Sequence, residues 1–343
     1  MSRASRSVEH CFVVPALDGP VTGGTLYNRE LGAALAGAGC PIAVCELGGA
    51  ELRRLLSEAR RVWVDSLYTG ALPELKRAAS CPVSLIVHYS PTMVTLGRVA
   101  TASEISATEQ RALCAADAFL VTSDFMREAL EPLVATPQSI FVVSPGCRAR
   151  LAPALPHSPR GLRALLVGNV VPGKGIEPFL RGLAESLRDG DQLRLSIIGG
   201  LDADRSYAER CQRLVCESPA LSGRVTWRGA LSPEQTLAEL SDAELLISAS
   251  VMESYGMALA EARVTGVPIL ARSGGNVALH VDERAGGELV RSTSELVAAC
   301  LELARAPARA RERIDSARRH ALPARSWSEA ARELLDQLAS LEK

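Results

Sequence analysis

Residues Met252–Gly275 read MESYGMALAEARVTGVPILARSGG, and this stretch predicts a helix held between two buried strands. The apolar run Leu245–Ile247 comes before it, and Val267–Ala271 forms a second apolar run near its end. Met257–Thr265 has the composition of a helix, and Gly266 is the residue type that commonly ends one. The order strand, helix, strand is the repeating unit of a parallel sheet.

The same alternation extends through the rest of the chain. Short apolar runs recur, and segments of helical period lie between most of them. Strands that alternate with helices indicate parallel sheets with right-handed crossovers, so the fold class is α/β. The predicted strands are Cys11–Ala16, Pro41–Cys45, Arg61–Val64, Val83–His88, Ala118–Val121, Ser139–Val143, Arg163–Val167, Leu193–Ile198, Arg224–Trp227, Ala243–Ile247 and Val267–Ala271. The predicted helices include Leu26–Ala36, Glu104–Ala115, Ile176–Leu187, Ala208–Cys216 and Ser326–Leu341.

The chain length predicts two domains. Its 343 residues are about twice the ~150 that usually make one domain. Arg148–Gly161 holds three prolines within seven residues, which disfavours helix and predicts an interdomain linker. We therefore expect two α/β domains, over residues 1–150 and 151–325, followed by a C-terminal helix within 326–343. A ligand should bind at the carboxyl ends of the strands, where the two domains face each other.

The composition excludes several classes of protein. The 38 basic and 39 acidic residues give a net charge of −1, and no strongly basic stretch indicates a nucleic-acid partner. No apolar run approaches the ~18 residues of a membrane span. Nine scattered cysteines without a C-x-x-C pair argue against a disulfide framework or a zinc site and fit a reducing compartment. We therefore expect a cytoplasmic globular protein.

An arginine-rich segment near the C-terminus allows two interpretations. Residues Arg305–Arg325 include seven arginines against Glu312 and Asp315. Such a patch can bind acidic lipid headgroups, which would make membrane association at most peripheral. A solvated helix face is the simpler interpretation, and the sequence favours it.

Two carboxylates in the opening stretch suggest a ligand site. Glu253 and Glu261 are eight residues apart, which on one continuous helix separates them by ~12 Å along the axis. They can meet one ligand only if Glu253 lies in the loop and Glu261 lies early in the helix. The loop and helix start near Tyr255–Met257 also present backbone N–H groups, which suit an anion. Carboxylates beside an anion site predict a ligand with hydroxyls and phosphates, such as a sugar nucleotide.

Three further positions are candidates for the same ligand. Lys174 lies between two glycines. Only three of the 38 basic residues are lysines, so a lysine at this position is notable. Its flexible ammonium suits a diphosphate. Gly23 and Gly24 follow the first strand, where glycine lets the backbone approach a ligand closely. His88 ends an apolar strand at its carboxyl end. The alternatives are an exposed turn lysine, an ordinary strand-to-helix turn and a packed histidine.

A metal site is not expected. Asp202 and Asp204 form a D-x-D pattern, which holds a metal–nucleotide complex in some transferases. Here the pattern precedes a helix, where acidic residues commonly cap the N-terminus. We therefore predict capping, with no metal or other cofactor.

Taken together, these residues resemble the retaining glycosyltransferases of family 4. The resemblance implies a GT-B fold, in which two Rossmann-like domains with parallel sheets face an interdomain cleft. It implies that the C-terminal helix within 326–343 packs back on the N-terminal domain. It also implies metal-independent transfer of a sugar from a nucleotide-diphosphate sugar to an acceptor hydroxyl, with retention of the anomeric configuration. The acceptor would be a glycan, a lipid-linked sugar or a small molecule, bound by the N-terminal domain. The resemblance rests on Gly23-Gly24, Val121–Phe125, Val143–Gly146, Gly168–Gly175, the E-x7-E pair Glu253 and Glu261, Gly274-Gly275 and Trp327.

The resemblance implies a role for each candidate residue. Glu253 would hold hydroxyls of the donor sugar and support the charge that develops there, and Glu261 would bind the ribose. Lys174 would stabilise the leaving diphosphate, and His88 would contact the donor sugar. Gly23 and Gly24 would pass close to the phosphates. The sugar and phosphates would be lined by amides of Ser254, Tyr255, Gly256 and Met257.

One departure from the family opens an alternative. Asn169 stands near the diphosphate position where family members commonly carry arginine, so one of two cations is missing unless Arg228 or Arg272 replaces it. The first alternative is therefore a sugar-nucleotide-binding protein with weak activity or none. A second is a sugar-nucleotide epimerase, which the E-x7-E pair and the lysine loop argue against, because an epimerase needs acid–base residues near the sugar ring.

Overall fold

The computed structural model describes residues 8–17, 19, 21–134, 139–153 and 161–341. The chain divides into unit 1, which comprises residues Met1–Gly146 and Arg325–Lys343, and unit 2, which comprises Cys147–Ala324. The predicted domain boundaries, after residues 150 and 325, lie four residues and one residue later than the unit boundaries after Gly146 and Ala324. Half of the predicted linker, residues 154–160, falls outside the described residues.

Unit 1 contains a six-stranded parallel sheet in the order β2-β1-β3-β4-β5-β6. Helices cover both faces, so the strands are nearly continuously apolar. Its strands are β1 (Val8–Val13), β2 (Ile42–Cys45), β3 (Ala59–Asp65), β4 (Val83–Val87), β5 (Ala118–Val121) and β6 (Ser139–Val142). Its helices include α1 (Gly23–Gly37), α2 (Leu52–Glu58), α3 (Leu72–Ala78), α4 (Pro91–Leu96), α5 (Ala107–Ala115), α6 (Asp124–Leu130) and α14 (Trp327–Leu341).

The first strand lies three residues earlier than predicted. The prediction Cys11–Ala16 followed the apolar run, but β1 also includes polar residues before it. His10 is buried in the ladder, and its Nδ1 accepts a hydrogen bond of 3.3 Å from the indole N–H of Trp63. A satisfied polar group thus occupies an interior position that hydrophobicity alone does not reveal.

Helix α14 packs into the core of unit 1. Ala330, Ala331 and Leu334 are fully buried in the same cluster as residues of β1 and α1. The Trp327 ring meets Tyr27 edge to face, with 5.6 Å between centroids, an arrangement that aromatic pairs favour. The last helix therefore shares its core with the first strand and the first helix.

Unit 2 contains a second six-stranded parallel sheet, in the order β12-β11-β10-β7-β8-β9. Its strands are β7 (Leu162–Val167), β8 (Leu193–Ile198), β9 (Val225–Gly229), β10 (Leu245–Ser248), β11 (Ile269–Arg272) and β12 (Glu288–Val290). Its helices include α7 (Ile176–Ser186), α8 (Arg205–Glu217), α9 (Pro233–Asp242), α10 (Met257–Thr265), α11 (Val277–His280), α12 (Thr293–Arg305) and α13 (Pro307–Arg319). Strand β12 escaped prediction because it has three residues, of which only Val290 is buried.

The two sheets confirm the predicted α/β class. In each sheet the strand order reverses beside the unit's first strand, between β1 and β3 in unit 1 and between β7 and β10 in unit 2. Crevices at such reversals are where open α/β sheets bind ligands. The loops that follow β1, β3, β7 and β10 are therefore the expected location of a ligand site.

The arginine-rich segment is extensively paired. Arg305 contacts Asp191 at 2.7 Å, and Arg318 donates to the backbone carbonyl oxygens of Ala152 and Pro153. Further pairs join Arg309 to Glu302, Arg311 to Asp315, Arg313 to Glu288 and Arg325 to Glu333. Six of the seven arginines therefore contact acidic side chains or backbone oxygens within the described chain. Across the described ranges, none of the helices combines the length and apolar character needed to span a bilayer.

We predict that Gly146→Ala destabilises unit 1, because a methyl group there would lie 2.5 Å from the backbone nitrogen of Trp327. Overpacking of this kind typically costs about 1–3 kcal/mol of unfolding free energy. The control is Gly37→Ala at the end of α1, where an added methyl meets nothing within 4 Å. Urea denaturation of both variants should show a loss only for Gly146→Ala, and equal stabilities would contradict the close approach of α14.

Candidate functional site

Lys174 lies in the loop between β7 and α7, at the end of a short 3-10 turn. The next residue, Gly175, has φ +64°, and a methyl there would lie 2.1 Å from the carbonyl oxygen of Ala249. Only glycine allows the lysine loop to pack this closely against the end of β10. The glycine on the C-terminal side of Lys174 is therefore a packing requirement.

Lys174 and Glu253 form an ion pair in this region. The Nζ of Lys174 donates to Oε1 of Glu253 at 2.6 Å, and the Ser250 hydroxyl donates to the same oxygen at 2.6 Å. The side chains are 29% and 17% exposed, so the pair is largely shielded from water. Burial pushes the pKa of Glu253 upward, but Lys174 and Ser250 outweigh it and hold that pKa below its ordinary value. Glu253 is therefore ionised at neutral pH.

The backbone of Glu253 is anchored to the loop that follows β11. Its carbonyl oxygen accepts the N–H of Asn276 at 2.8 Å, and its N–H donates to the carbonyl of Gly274 at 3.3 Å. Gly275 has φ +61°, and a methyl there would lie 2.3 Å from the Glu253 carbonyl oxygen. The two glycines after β11 thus fix the loop that carries the carboxylate.

The next residues form the start of α10. The carbonyl oxygen of Tyr255 accepts hydrogen bonds from Asn276 Nδ2 at 2.9 Å and from His280 Nε2 at 2.7 Å. Gly256 has φ +92° and precedes the helix, whose first turn has no side-chain cap among the described residues. Because the carbonyl is turned toward Asn276 and His280, the backbone N–H groups near Met257 can serve an anion.

Glu261 is the fifth residue of α10, while Glu253 lies in the loop before it. The structure therefore meets the condition under which the two carboxylates can serve one ligand. Burial raises the pKa of Glu261 to about 7. Within the described chain, no hydrogen bond or ion pair involves its carboxylate, so nothing offsets the cost of removing its charge from water.

Asn169 braces the loop between β7 and α7. Its Oδ1 accepts the backbone N–H of Gly200 at 2.9 Å, which ties this loop to the one that follows β8. Of the two arginines considered as a replacement cation, Arg228 pairs with Glu239. Arg272 has a buried Nε without a hydrogen-bond partner in the described chain.

Unit 1 contains a second group of predicted residues. Gly23 and Gly24 begin α1, and Thr22 caps it. A methyl on Gly24 would lie 3.0 Å from Cδ2 and 3.2 Å from Cγ of His88. The glycine expected to admit a ligand therefore first makes room for the imidazole that follows β4.

His88 also belongs to a buried polar network that sequence reasoning missed. Its Nε2 lies 2.9 Å from Oδ1 of Asn28 and 3.4 Å from Oδ2 of Asp65. Asn28 Nδ2 donates to Asp65 Oδ2 at 2.6 Å, and the backbone N–H of Leu67 donates to Oδ1. Burial pushes the pKa of Asp65 upward, but His88 and these hydrogen bonds together hold it below its ordinary value.

The D-x-D pattern is a helix cap, as predicted. The Asp204 carboxylate accepts the backbone N–H of Tyr207 at the start of α8, and Asp202 pairs with Arg205. Within the ranges that the structure describes, no cluster of three or more histidine, cysteine or acidic side chains is arranged to hold a metal ion.

Part of the second unit is similar to a known family. Residues 161–306 match the family described as glycosyl transferases group 1. The matched region contains Asn169, Lys174, Glu253 and Glu261. The Lys174–Glu253 ion pair and the Glu261 carboxylate, whose pKa is raised, therefore both lie inside it.

Curated proteins that are similar to this chain include D-inositol 3-phosphate glycosyltransferases. The protein of Corynebacterium aurimucosum is 28% identical over 233 residues, which are 61% of this chain and 55% of that protein. The protein of Nocardia farcinica is 32% identical over 151 residues, which are 43% of this chain and 33% of that protein. The protein of Corynebacterium efficiens is 27% identical over 301 residues, which are 81% of this chain and 68% of that protein. The chain thus spans about a third to two thirds of the length of these relatives.

Solved structures share the fold over almost the whole chain. Sucrose-phosphate synthase of Thermosynechococcus elongatus gives a TM-score of 0.78 at 19% identity, covering 98% of this chain and 99% of that one. Anabaena Alr3699/HepE, solved with UDP-glucose, gives a TM-score of 0.73 at 14% identity, covering 97% and 99%. The predicted GT-B class, with two Rossmann-like domains, is confirmed.

We predict that Glu261 makes the protein less stable at alkaline pH. Its pKa of about 7 exceeds the ordinary 4.5, so between these values the folded state binds more protons than the unfolded state. The free energy of unfolding should therefore fall as pH rises from 4.5 to about 7 and stay low above it. Glu261→Gln should remove this decline, which amounts to about 1–3 kcal/mol. Urea denaturation at pH 5 and pH 8 measures it, and parallel profiles for both proteins would contradict the burial cost.

Proposed function

We propose that this chain is a glycosyltransferase that moves a sugar from a nucleotide-diphosphate sugar to an acceptor hydroxyl. The observation that carries the proposal is the Lys174–Glu253 ion pair beside the start of α10, inside a group 1 domain. Departure of a nucleoside diphosphate develops negative charge on its oxygens. Preorganised cations and N–H groups stabilise such charge more effectively in a shielded site than in water.

Lys174 is the proposed stabiliser of the leaving diphosphate. One N–H of its ammonium is directed at Glu253, and an ammonium has three donors, so others can reach phosphate oxygens. The backbone N–H groups of Ser254, Tyr255, Gly256 and Met257 are proposed to line the sugar and phosphates. Asn169, which lies in the same loop as Lys174, is proposed to contribute its amide instead of the missing guanidinium.

The two glutamates are proposed to bind different parts of the donor. Glu253 is ionised and shielded, so it can accept hydrogen bonds from sugar hydroxyls and stabilise positive charge that develops at the anomeric carbon. Glu261 is proposed to accept hydrogen bonds from the ribose hydroxyls, which would supply the partners that its carboxylate lacks in the described chain.

We propose that the reaction needs no metal ion or other cofactor and retains the anomeric configuration. A fixed ammonium and helix N–H groups can carry the charge-stabilising role that a divalent cation has elsewhere. Retention is proposed from the resemblance of the E-x7-E segment to family 4. The configuration of the product's anomeric carbon, read by NMR, tests it directly.

In unit 1, His88 is the proposed contact to the transferred sugar, and Gly23 and Gly24 are proposed to pass near the phosphates. The acceptor is proposed to bind to this unit through a hydroxyl of a glycan, a lipid-linked sugar or a small molecule. The curated relatives are named for a phosphorylated polyol, which makes D-inositol 3-phosphate a useful first acceptor to assay.

We predict that Glu253→Ala abolishes sugar transfer while leaving the affinity for nucleoside diphosphate within a few fold. Its carboxylate serves the sugar in this proposal, whereas the diphosphate is held by Lys174 and backbone N–H groups. Lys174→Ala should lower kcat by about 10²–10³-fold. Donor-consumption assays measure turnover, and calorimetry measures affinity for the diphosphate.

The matched control is Glu217→Ala, an exposed glutamate at the end of α8, which should leave both quantities unchanged. A large loss of diphosphate affinity in Glu253→Ala would contradict the role assigned to Glu253. Tight diphosphate binding without turnover in the wild-type protein would favour the non-catalytic alternative, for which Asn169 is the supporting observation.

A further inference from the structure

The network around His88 determines which ring nitrogen carries a proton. Asp65 is buried, with 2% of its side chain exposed, and an ionised carboxylate can only accept hydrogen bonds. The side-chain group of Asn28 that lies 2.6 Å from this carboxylate must therefore be its Nδ2 amide. The opposite orientation would place two oxygens against each other in a buried position.

The orientation of Asn28 then constrains His88. With Nδ2 directed at Asp65, Asn28 presents Oδ1 to His88 Nε2 at 2.9 Å. The second neighbour of Nε2 is Asp65 Oδ2 at 3.4 Å, which is also an acceptor. Because both neighbours accept, Nε2 has to donate, and the proton belongs on Nε2 rather than on Nδ1.

Neighbouring residues cover other parts of the His88 ring. Gly24 faces the edge formed by Cγ and Cδ2, and Tyr27 meets the ring edge to face at a centroid distance of 5.3 Å. In the described chain no hydrogen bond reaches Nδ1, and 10% of the His88 side chain is exposed. Nδ1 is therefore the polar ring atom left for a ligand.

We propose that Asp65 is a positioning residue that, through Asn28, fixes the proton of His88 on Nε2 and leaves Nδ1 to meet a substrate hydroxyl. The role for Nδ1 rests on the proposed transferase function, whereas the placement of the proton follows from this network alone. Asp65 and Asn28 hold the imidazole in one tautomer and one orientation. A donor-sugar hydroxyl then meets a ring nitrogen of defined character rather than a mixture.

The two parts of the proposal are tested separately. Nitrogen-15 NMR of the ligand-free protein distinguishes the ring tautomers, and His88→Gln identifies the signals of His88. We expect Nε2 of His88 to be protonated in the wild-type protein. Asp65→Asn should give a mixture of tautomers, because the side chain at position 65 no longer dictates how Asn28 is oriented. The matched control is Asp117→Asn at the amino end of β5, which should leave the His88 signals unchanged.

The same variants are assayed for turnover. Asp65→Asn should lower kcat about 10- to 100-fold while the KM for the sugar nucleotide stays within about twofold, whereas Asp117→Asn should change neither. A wild-type spectrum with the proton only on Nδ1 would overturn the proposal, even if Asp65→Asn did not fold. An unchanged tautomer or an unchanged kcat in a folded Asp65→Asn variant would also overturn it. Absence of transfer in the wild-type protein would refute the proposed function but not the tautomer.

Discussion

The ion pair between Lys174 and Glu253 is the interaction on which the candidate site of unit 2 depends. It joins the loop after β7 to the loop after β10, beside the point where the strand order reverses. Breaking a shielded pair by removing one partner is costly, because the other charge is left without compensation. The surrounding backbone is shaped to hold it, since the N–H of Val251 donates to the carbonyl oxygen of Gly173 at 2.9 Å. The pair therefore places the Lys174 ammonium and the Glu253 carboxylate beside the start of α10.

The two carboxylates of the E-x7-E segment differ in environment although they belong to one strand–helix unit. Glu253 has Lys174 and Ser250 as partners, which keep it ionised. Glu261 is shielded without a partner in the described chain, and its pKa of about 7 places it near the point of ionisation at neutral pH. Pairs of titratable groups whose surroundings separate their pKa values are typical of functional sites. In this account the difference matches two tasks, contact with the sugar and contact with the ribose.

The sequence predicts the architecture well because strands and helices leave local patterns. Val83–Val87 is mostly apolar and follows Pro82, and Met257–Thr265 lies between Gly256 and Gly266, so their positions follow from a short window. Strand β12 and the start of β1 are not predicted, because they have no clear local pattern and form by pairing with neighbouring strands. The sequence marks the glycines of the lysine loop and of the segment after β11 as candidate site positions. It does not reveal which atoms these glycines approach.

The supporting polar residues escape prediction because their partners are distant in sequence. Asn28, Asp65 and His88 come from three elements of unit 1 and meet only after the sheet has formed. Asn276 and His280 likewise have no local pattern that marks their contact with the Tyr255 carbonyl. These residues orient the candidate functional groups, so the sequence identifies the groups themselves better than it identifies what holds them.

Calorimetric titration of the wild-type protein with UDP, GDP, ADP and dTDP, with and without EDTA, tests the proposed diphosphate site. We predict that one diphosphate binds tightly, that EDTA does not change its affinity, and that Lys174→Ala weakens it. Failure of all four to bind, or binding that EDTA abolishes, would contradict a metal-free nucleoside-diphosphate site built around Lys174 and Glu253.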